Sequence, residues 1–236
     1  MKLNADVGEG TGSDDALMPW IDCANIACGG HAGGPEEMRR TVALALTHDV
    51  SIGAHPGYPD PENFGRVSLV LPPEEITALV HEQIDRLDAV CRDLGAEIAY
   101  VKPHGALYHD MMHKPEVLDA LVHAISARPR PLSLVMMARP ALPQHDRSAD
   151  SAGALIYEAF ADRAYTETGS LLPRTAPDAV YTNPDDIVKQ AGQLLNGNLL
   201  SADGHALRIQ ADTLCIHGDN PASIAAAPRI HHLIHA

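Results

Sequence analysis

Aromatic side chains are scarce in this chain: two Phe, one Trp and six Tyr make up 4% of its 236 residues, so a core of any size has to be aliphatic. Ala, Leu, Val and Ile supply it, within a hydrophobic share of 45% that fits a packed globular protein and argues against disorder. Basic residues are few as well, 17 Lys plus Arg against 31 Asp plus Glu, for a formal charge of −14. That balance argues against a nucleic-acid backbone or an anionic membrane as partner, while a few local cations still suffice to hold a small anionic substrate. No apolar run approaches the ~18 to 20 residues of a membrane span, and the N-terminus lacks the apolar stretch of a signal peptide, so the expected compartment is the cytoplasm. The cysteines, Cys23, Cys28, Cys91 and Cys215, show neither a Cys-x-x-Cys pair nor zinc-finger spacing and are expected to be reduced and mostly buried in strands.

Phosphate-binding loops are also missing. Gly8-Glu9-Gly10-Thr11-Gly12-Ser13 lacks the third glycine of the dinucleotide fingerprint, and no Gly-x-x-x-x-Gly-Lys-Ser/Thr occurs. Nor is there an internal repeat, a low-complexity run or a linker, so residues 1–236 read as one domain.

What the chain has instead is a series of short apolar runs that end in polar residues and glycine. Strands are expected at residues 2–8, 23–28, 51–54, 98–102, 132–137, 155–160 and 213–216. Helices are expected from Pro35 with Met38, Val42, Ala45 and Leu46 inward, from Pro72 to a stop at Gly95, over 115–127 with Leu118, Leu121, Val122 and Ile125 inward, and from Asn183 to Gly197. The Asp203-Gly204 pair marks a hairpin within 199–209. Residues 138–153, with Pro140 and Pro143, are expected to give only a short or broken helix, and 162–178 a long functional loop. His231, His232 and His235 read as a solvated tail. Seven strands with helices between most of them predict an α/β fold, a parallel barrel rather than a doubly wound sheet, with its site where the C-terminal strand ends converge.

The residues at those ends are Asn4, Asp6 and Glu9; Asn25 and His31; His55; Lys102 and His104; Asp162 and Arg163, with Arg174 beyond; and His217 and Asp219. Side chains two apart on a strand share a face, which pairs Asn4 with Asp6, Gly53 with His55, Lys102 with His104, and His217 with Asp219. A carboxylate at the end of an apolar strand needs a partner to offset its desolvation, and Lys102 is the natural one for Asp6. Asp6 and Glu9 suit a general base, a metal ligand or a binder of a cationic group, and arginine suits bidentate capture of a carboxylate. Tyr58, Arg66 and Tyr108 lie in loops on the same expected face.

The runs Leu3-Asn4-Ala5-Asp6-Val7-Gly8-Glu9, Ala24 to Gly33, Gly53 to Asp60 with Phe64-Gly65-Arg66, Val101 to Tyr108, Phe160 to Tyr165 and Cys215 to Pro221 resemble, in order, those of the LamB/YcsF family. Gly34 departs from the pattern, standing where an aspartate is expected. The resemblance implies a (β/α)7-type barrel related to the glycoside hydrolase and deacetylase barrels. It also implies a hydrolase of cyclic amides: one member of an ATP-dependent complex that opens the lactam of 5-oxo-L-proline to L-glutamate with partner subunits of B and C type. On that expectation Asp6, Lys102, His104 and His217 are catalytic. Asn4, Glu9, Asn25, His31, His55, Asp162, Arg163, Arg174 and Asp219 bind substrate. ATP is the co-substrate of the complex, and a divalent metal is left open, with Asp6, His55 and His104 as ligands if one is bound. Two other readings stay open, a metal-dependent deacetylase or amidohydrolase and a non-catalytic subunit that binds a small acid. Monomer and homo-oligomer both remain open.

Overall fold

A computed structural model describes residues 1–140 and 153–236. The strands are β1 (Lys2–Val7), β2 (Cys23–Ala27), β3 (Ser51–His55), β4 (Ile98–Val101), β5 (Ser133–Met137), β6 (Leu155–Phe160), β7 (Asn198–Leu200), β8 (Ala206–Arg208) and β9 (Thr213–His217). The first six and β9 pair in parallel and close into a barrel, β9 lying between β6 and β1, while β7 and β8 form the separate antiparallel hairpin. Closure explains why the strand runs carry polar residues at alternate positions. Leu3, Ala5 and Val7 of β1 face the surrounding helices, while Asn4 and Asp6 point into the barrel, where polar groups bond one another across strands.

The helices are α1 (Asp14–Leu17), followed by a 3-10 turn at Met18–Trp20, then α2 (Pro35–Thr47), α3 (Pro73–Leu94), α4 (Gly105–His113), α5 (Pro115–Ser126), α6 (Pro184–Leu195) and α7 (Pro221–His235). α3 follows its expected apolar side, burying Ile76, Val80, Ile84 and Leu87, and ends on Gly95 at a φ of 74°. α6 is capped by Asn183, whose side-chain oxygen accepts from the Asp185 amide at 3.0 Å. α2 starts at Gly34 with no side-chain cap, as the missing aspartate implies.

Several expectations are corrected. Leu46 is 46% exposed, since the inward stripe of α2 runs through Met38, Thr41, Val42 and Ala45. In α5 the buried stripe is Val117, Ala120, Leu121, Ala124 and Ile125, leaving Val122 exposed: small alanines take the contact side, and they carry little hydrophobic signal. α4 begins directly after His104, where the sequence pattern shows only a strand end. The expected broken helix at 138–153 falls on residues 141–152, outside the described residues.

The C-terminal histidines are not in a tail. They belong to α7, which packs along α6, β1 and β9 through Ala222, Ser223, Ala226, Ala227 and Ile230. Alanine hid its apolar stripe, and Pro228 in mid-helix reads as a breaker. Proline there lacks the N–H that would bond to the Ile224 carbonyl and crowds it. Pro228→Ala is therefore expected to raise unfolding free energy by about 1 to 3 kcal/mol in urea denaturation. A lowered midpoint would mean that α7 needs the proline to pack.

The loop from β3 to α3 is stapled onto α4 by one buried carboxylate. Asp110 Oδ2 accepts from Tyr58 OH at 2.9 Å and from Ser68 Oγ, and Oδ1 pairs with Lys114 Nζ at 3.0 Å. Burial pushes the Asp110 carboxyl up, but the bonds from Ser68, Lys114 and Tyr58 outweigh it and hold the group below the usual carboxylate range. A depressed folded pKa contributes stability above the unfolded value of about 3.9 and loses it as pH falls through the folded one. Asp110→Asn should thus cost about 1 to 3 kcal/mol at neutral pH, with the gap to wild type closing below about pH 4. An equal gap at pH 7 and pH 3 in thermal melts would refute this.

Candidate active site

The barrel interior is layered. At its N-terminal end Cys23, Tyr100 and Val135 form a small apolar cluster with Ile156, apart from the main core. Tyr100 lies flat across β3: a Cβ on Gly53 would fall 2.1 Å from its ring, so only glycine fits. A cavity of about 500 Å³ opens beneath this cluster, but the titratable groups gather at the other end of the barrel.

Above the apolar layer sits a buried polar network. Tyr100 OH donates to Asn25 Oδ1 at 2.7 Å, and Asn25 Nδ2 donates to Asn4 Oδ1 and Asp6 Oδ1, both at 2.8 Å. Lys102 Nζ reaches Asp6 Oδ1 at 2.9 Å, Cys215 Sγ at 3.0 Å, Glu158 Oε2 at 3.1 Å and Asn4 Oδ1 at 3.3 Å. These contacts use up the three N–H donors of the ammonium, so Lys102 is a strut that fixes Asp6 and has none left for an oxyanion. Its own position follows from pairing that runs past β4: the Lys102 amide bonds to Ala54 O at 2.9 Å and the His104 amide to Pro56 O at 2.8 Å. Burial alone would lower the Lys102 pKa, but Asp6, Cys215 and Glu158 hold it well above the usual lysine range.

With Oδ1 engaged, Asp6 turns Oδ2 to the mouth, 3.4 Å from His55 Nε2 and 4.0 Å from His217 Nε2. Burial would raise the Asp6 carboxyl; His55 and Lys102 outweigh it and hold it well below the ordinary range, so Asp6 is ionised. His217 is set by Asp162 at the end of β6. Its Nδ1 lies 2.9 Å from Asp162 Oδ2 and its amide donates to the same oxygen at 3.0 Å, as does Ser223 Oγ at 2.8 Å. With its proton on Nδ1, His217 offers a lone pair on Nε2 toward Asp6, the geometry of a general base.

On the opposite side, Glu9, His31, His55 and His104 pack together. His31 Nε2 is 3.1 Å from Glu9 Oε1, His104 Nδ1 is 3.3 Å from the same oxygen, and the rings of His31 and His104 stack at 3.5 Å. Burial, with Asp6 nearby, pushes Glu9 up to about 8; burial, with His55 nearby, holds His104 well below the usual histidine range. Both ring nitrogens of His104 are occupied, which makes it a poor proton donor to a ligand.

At the rim, Arg66 bonds to Asp219 at 2.7 Å and Arg174 lies 3.8 Å from it. Arg163 does not join them: it is buried, donating to Ala179 O at 3.1 Å and Leu172 O at 2.6 Å, and so clamps the loop after β6 rather than meeting a ligand. Tyr58 is likewise sealed against Asp110. The sequence pattern missed Glu158 and Ser223. A glutamate inside the apolar run Leu155 to Phe160 needs a buried partner just as Asp6 does, a signal the sequence contains; Ser223 was hidden with α7.

The model of the LamB/YcsF family matches residues 1–236. The chain is 52% identical over 235 residues to the second of the 5-oxoprolinase A subunits of Pseudomonas putida, covering 97% of this chain and 91% of the relative. It is 44% identical over 238 residues to the 5-oxoprolinase A subunit of Vibrio cholerae, covering 98% and 96%. Among solved structures, it superposes on the lactam utilization protein from Thermus thermophilus with a TM-score of 0.87 at 36% identity, covering 100% of this chain and 97% of that one. A family 4 carbohydrate esterase from Streptomyces lividans, at 12% identity and a TM-score of 0.52, covering 100% and 87%, shares the fold.

Proposed function

The chain belongs to the LamB/YcsF family, and from that premise we propose that it acts as the A subunit of a 5-oxoprolinase, opening the lactam of 5-oxo-L-proline to L-glutamate with ATP hydrolysis. A lactam is a poor electrophile because its nitrogen lone pair is delocalised into the carbonyl. Phosphoryl transfer from ATP to the amide oxygen removes that resonance. Water then adds at the ring carbon, the C–N bond breaks as the nitrogen takes a proton, and a second water releases phosphate. The chain has no recognisable phosphate-binding loop, so phosphoryl transfer is assigned to partner subunits and ring opening to this barrel.

One observation carries the reading: the His217–Asp162 pair faces an ionised Asp6 at the barrel mouth. His217 Nε2 takes a proton from the attacking water, Asp6 stabilises the resulting imidazolium, and the same proton goes to the leaving nitrogen. Lys102 keeps Asp6 ionised and aimed. Arg66 and Arg174 bind the substrate carboxylate in exchange for Asp219. All four cysteines are free and buried, in keeping with an assembly that works in a reducing compartment, the cytoplasm. Among the described residues no helix is long and apolar enough to cross a membrane.

The test is co-expression with ATP-using partner subunits and an assay of glutamate from 5-oxoproline. Glutamate should form only with ATP and only when this chain is present. Release of acetate from acetylated sugars without ATP would overturn the proposal in favour of a deacetylase.

A further inference from the structure

The histidine cluster brings potential ligand atoms of three side chains together at the barrel mouth. His55 Nδ1 lies 2.6 Å from the Lys102 carbonyl oxygen, and His104 Nε2 lies 2.9 Å from that of Phe64. A carbonyl only accepts, so both nitrogens carry a proton, which leaves His55 Nε2 and His104 Nδ1 as the ring atoms that either share a proton or bind a metal ion. Those two atoms are 3.0 Å apart, aimed at each other, with Glu9 Oε1 3.3 Å from His104 Nδ1 and 3.8 Å from His55 Nε2. Three such atoms in contact hold either shared protons or a cation among them.

The spacing fits one kind of cation. A tetrahedral ion with bonds of about 2.0 to 2.2 Å keeps its ligand atoms roughly 3.3 to 3.6 Å apart, which the three observed edges bracket. The Lys102 and Phe64 carbonyls are the outer hydrogen-bond partners that fix the tautomer of a metal-binding imidazole. His31 differs: its Nδ1 is buried with no partner, facing Gly57, whose added Cβ would come within 2.8 Å. Its Nε2–H is better used donating to Glu9 at 3.1 Å. Glu9 is the carboxylate within 4 Å of both His55 and His104, so it replaces Asp6 in the ligand set expected from the strand ends.

We propose that Glu9, His55 and His104 bind one first-row divalent metal ion of the zinc type, with a coordination position left open to the mouth and His31 as a positioning residue acting through Glu9. Two nitrogens and one carboxylate oxygen form a donor set that zinc and cobalt accept. The site is inferred from donor geometry alone and stands or falls apart from the lactam reading.

The test counts metal rather than turnover. A second group, Asp22, His231 and His235, lies on the surface, so the measurements use the full chain, without a histidine tag, in a His235→Ala background. Chelator-stripped protein is titrated with Co²⁺. The expected result is one equivalent bound, with the intense visible absorption of a four-coordinate cobalt site, displaced by Zn²⁺. Glu9→Gln and His104→Gln should lose that spectrum, and His31→Gln should weaken binding about 10- to 100-fold while keeping the spectrum. Circular dichroism confirms that each variant is folded; should the ligand variants not fold, the stoichiometry and spectrum of the parent decide alone. Absence of the four-coordinate spectrum in the parent would mean that a proton, not a metal, lies between His55 and His104. A spectrum unchanged in both folded ligand variants would put the ion elsewhere, and either result overturns the proposal.

Discussion

Asp6→Asn should reduce ATP-dependent glutamate formation by the reconstituted complex about 10²- to 10⁴-fold while leaving a folded barrel, because it removes the anion that faces His217 without removing its shape. Asn25 and Lys102 both donate to Asp6 Oδ1, so the new amide must turn its oxygen to them and its NH2 toward His55 and His217. An amide hydrogen then points at the lone pair that should receive the proton of water, and no negative charge stabilises an imidazolium. The loss should therefore fall on kcat more than on KM, and ATP turnover by the partner subunits becomes uncoupled from product. Near-normal glutamate release would remove Asp6 from the mechanism. A raised KM with kcat intact would instead make Asp6 a substrate contact.

Lys102→Met should destabilise the chain by about 3 to 5 kcal/mol, the cost of leaving buried carboxylates without their cation. The ammonium lies 2.9 Å from Asp6 and 3.1 Å from Glu158, with both carboxylates buried. Methionine fills much of the volume but supplies no donor for either. Burial works against the charged lysine, yet its partners raise its folded pKa well above the unfolded value of about 10.4. The lysine's contribution is accordingly complete below about pH 10.4 and fades only as pH rises through the folded value. At pH 7 the full loss should appear in urea denaturation, and adding Glu158→Gln to Lys102→Met should recover part of it. A single variant within about 1 kcal/mol of wild type would show that the network contributes geometry rather than stability.

Both experiments probe one arrangement, in which the barrel interior is polar and its charges hold one another in place. Asp6 is aimed by Lys102 and Asn25, and His217 by Asp162 and Ser223, so the groups facing the mouth are held from beneath. Arg163 shows the same self-pairing from the other direction. A side chain that reads as a ligand contact binds its own loop, and Arg66, from a different loop, takes the rim.

Much of this was legible in the chain itself. Apolar alternation with polar ends located the seven barrel strands, because a residue two positions from a buried neighbour shares its face whatever the rest of the fold does. Asp6 required a cation for the same local reason, since a carboxylate at the end of an apolar run cannot be buried alone. Tertiary structure alone decided which partner each group found. Glu9 rather than Asp6 meets His104, Lys102 directs its donors inside the barrel, and α7 supplies Ser223 from a stretch whose alanines and Pro228 conceal a helix. Those outcomes depend on distances between strands remote in sequence, set by barrel closure and register, and no local pattern of residues carries that information.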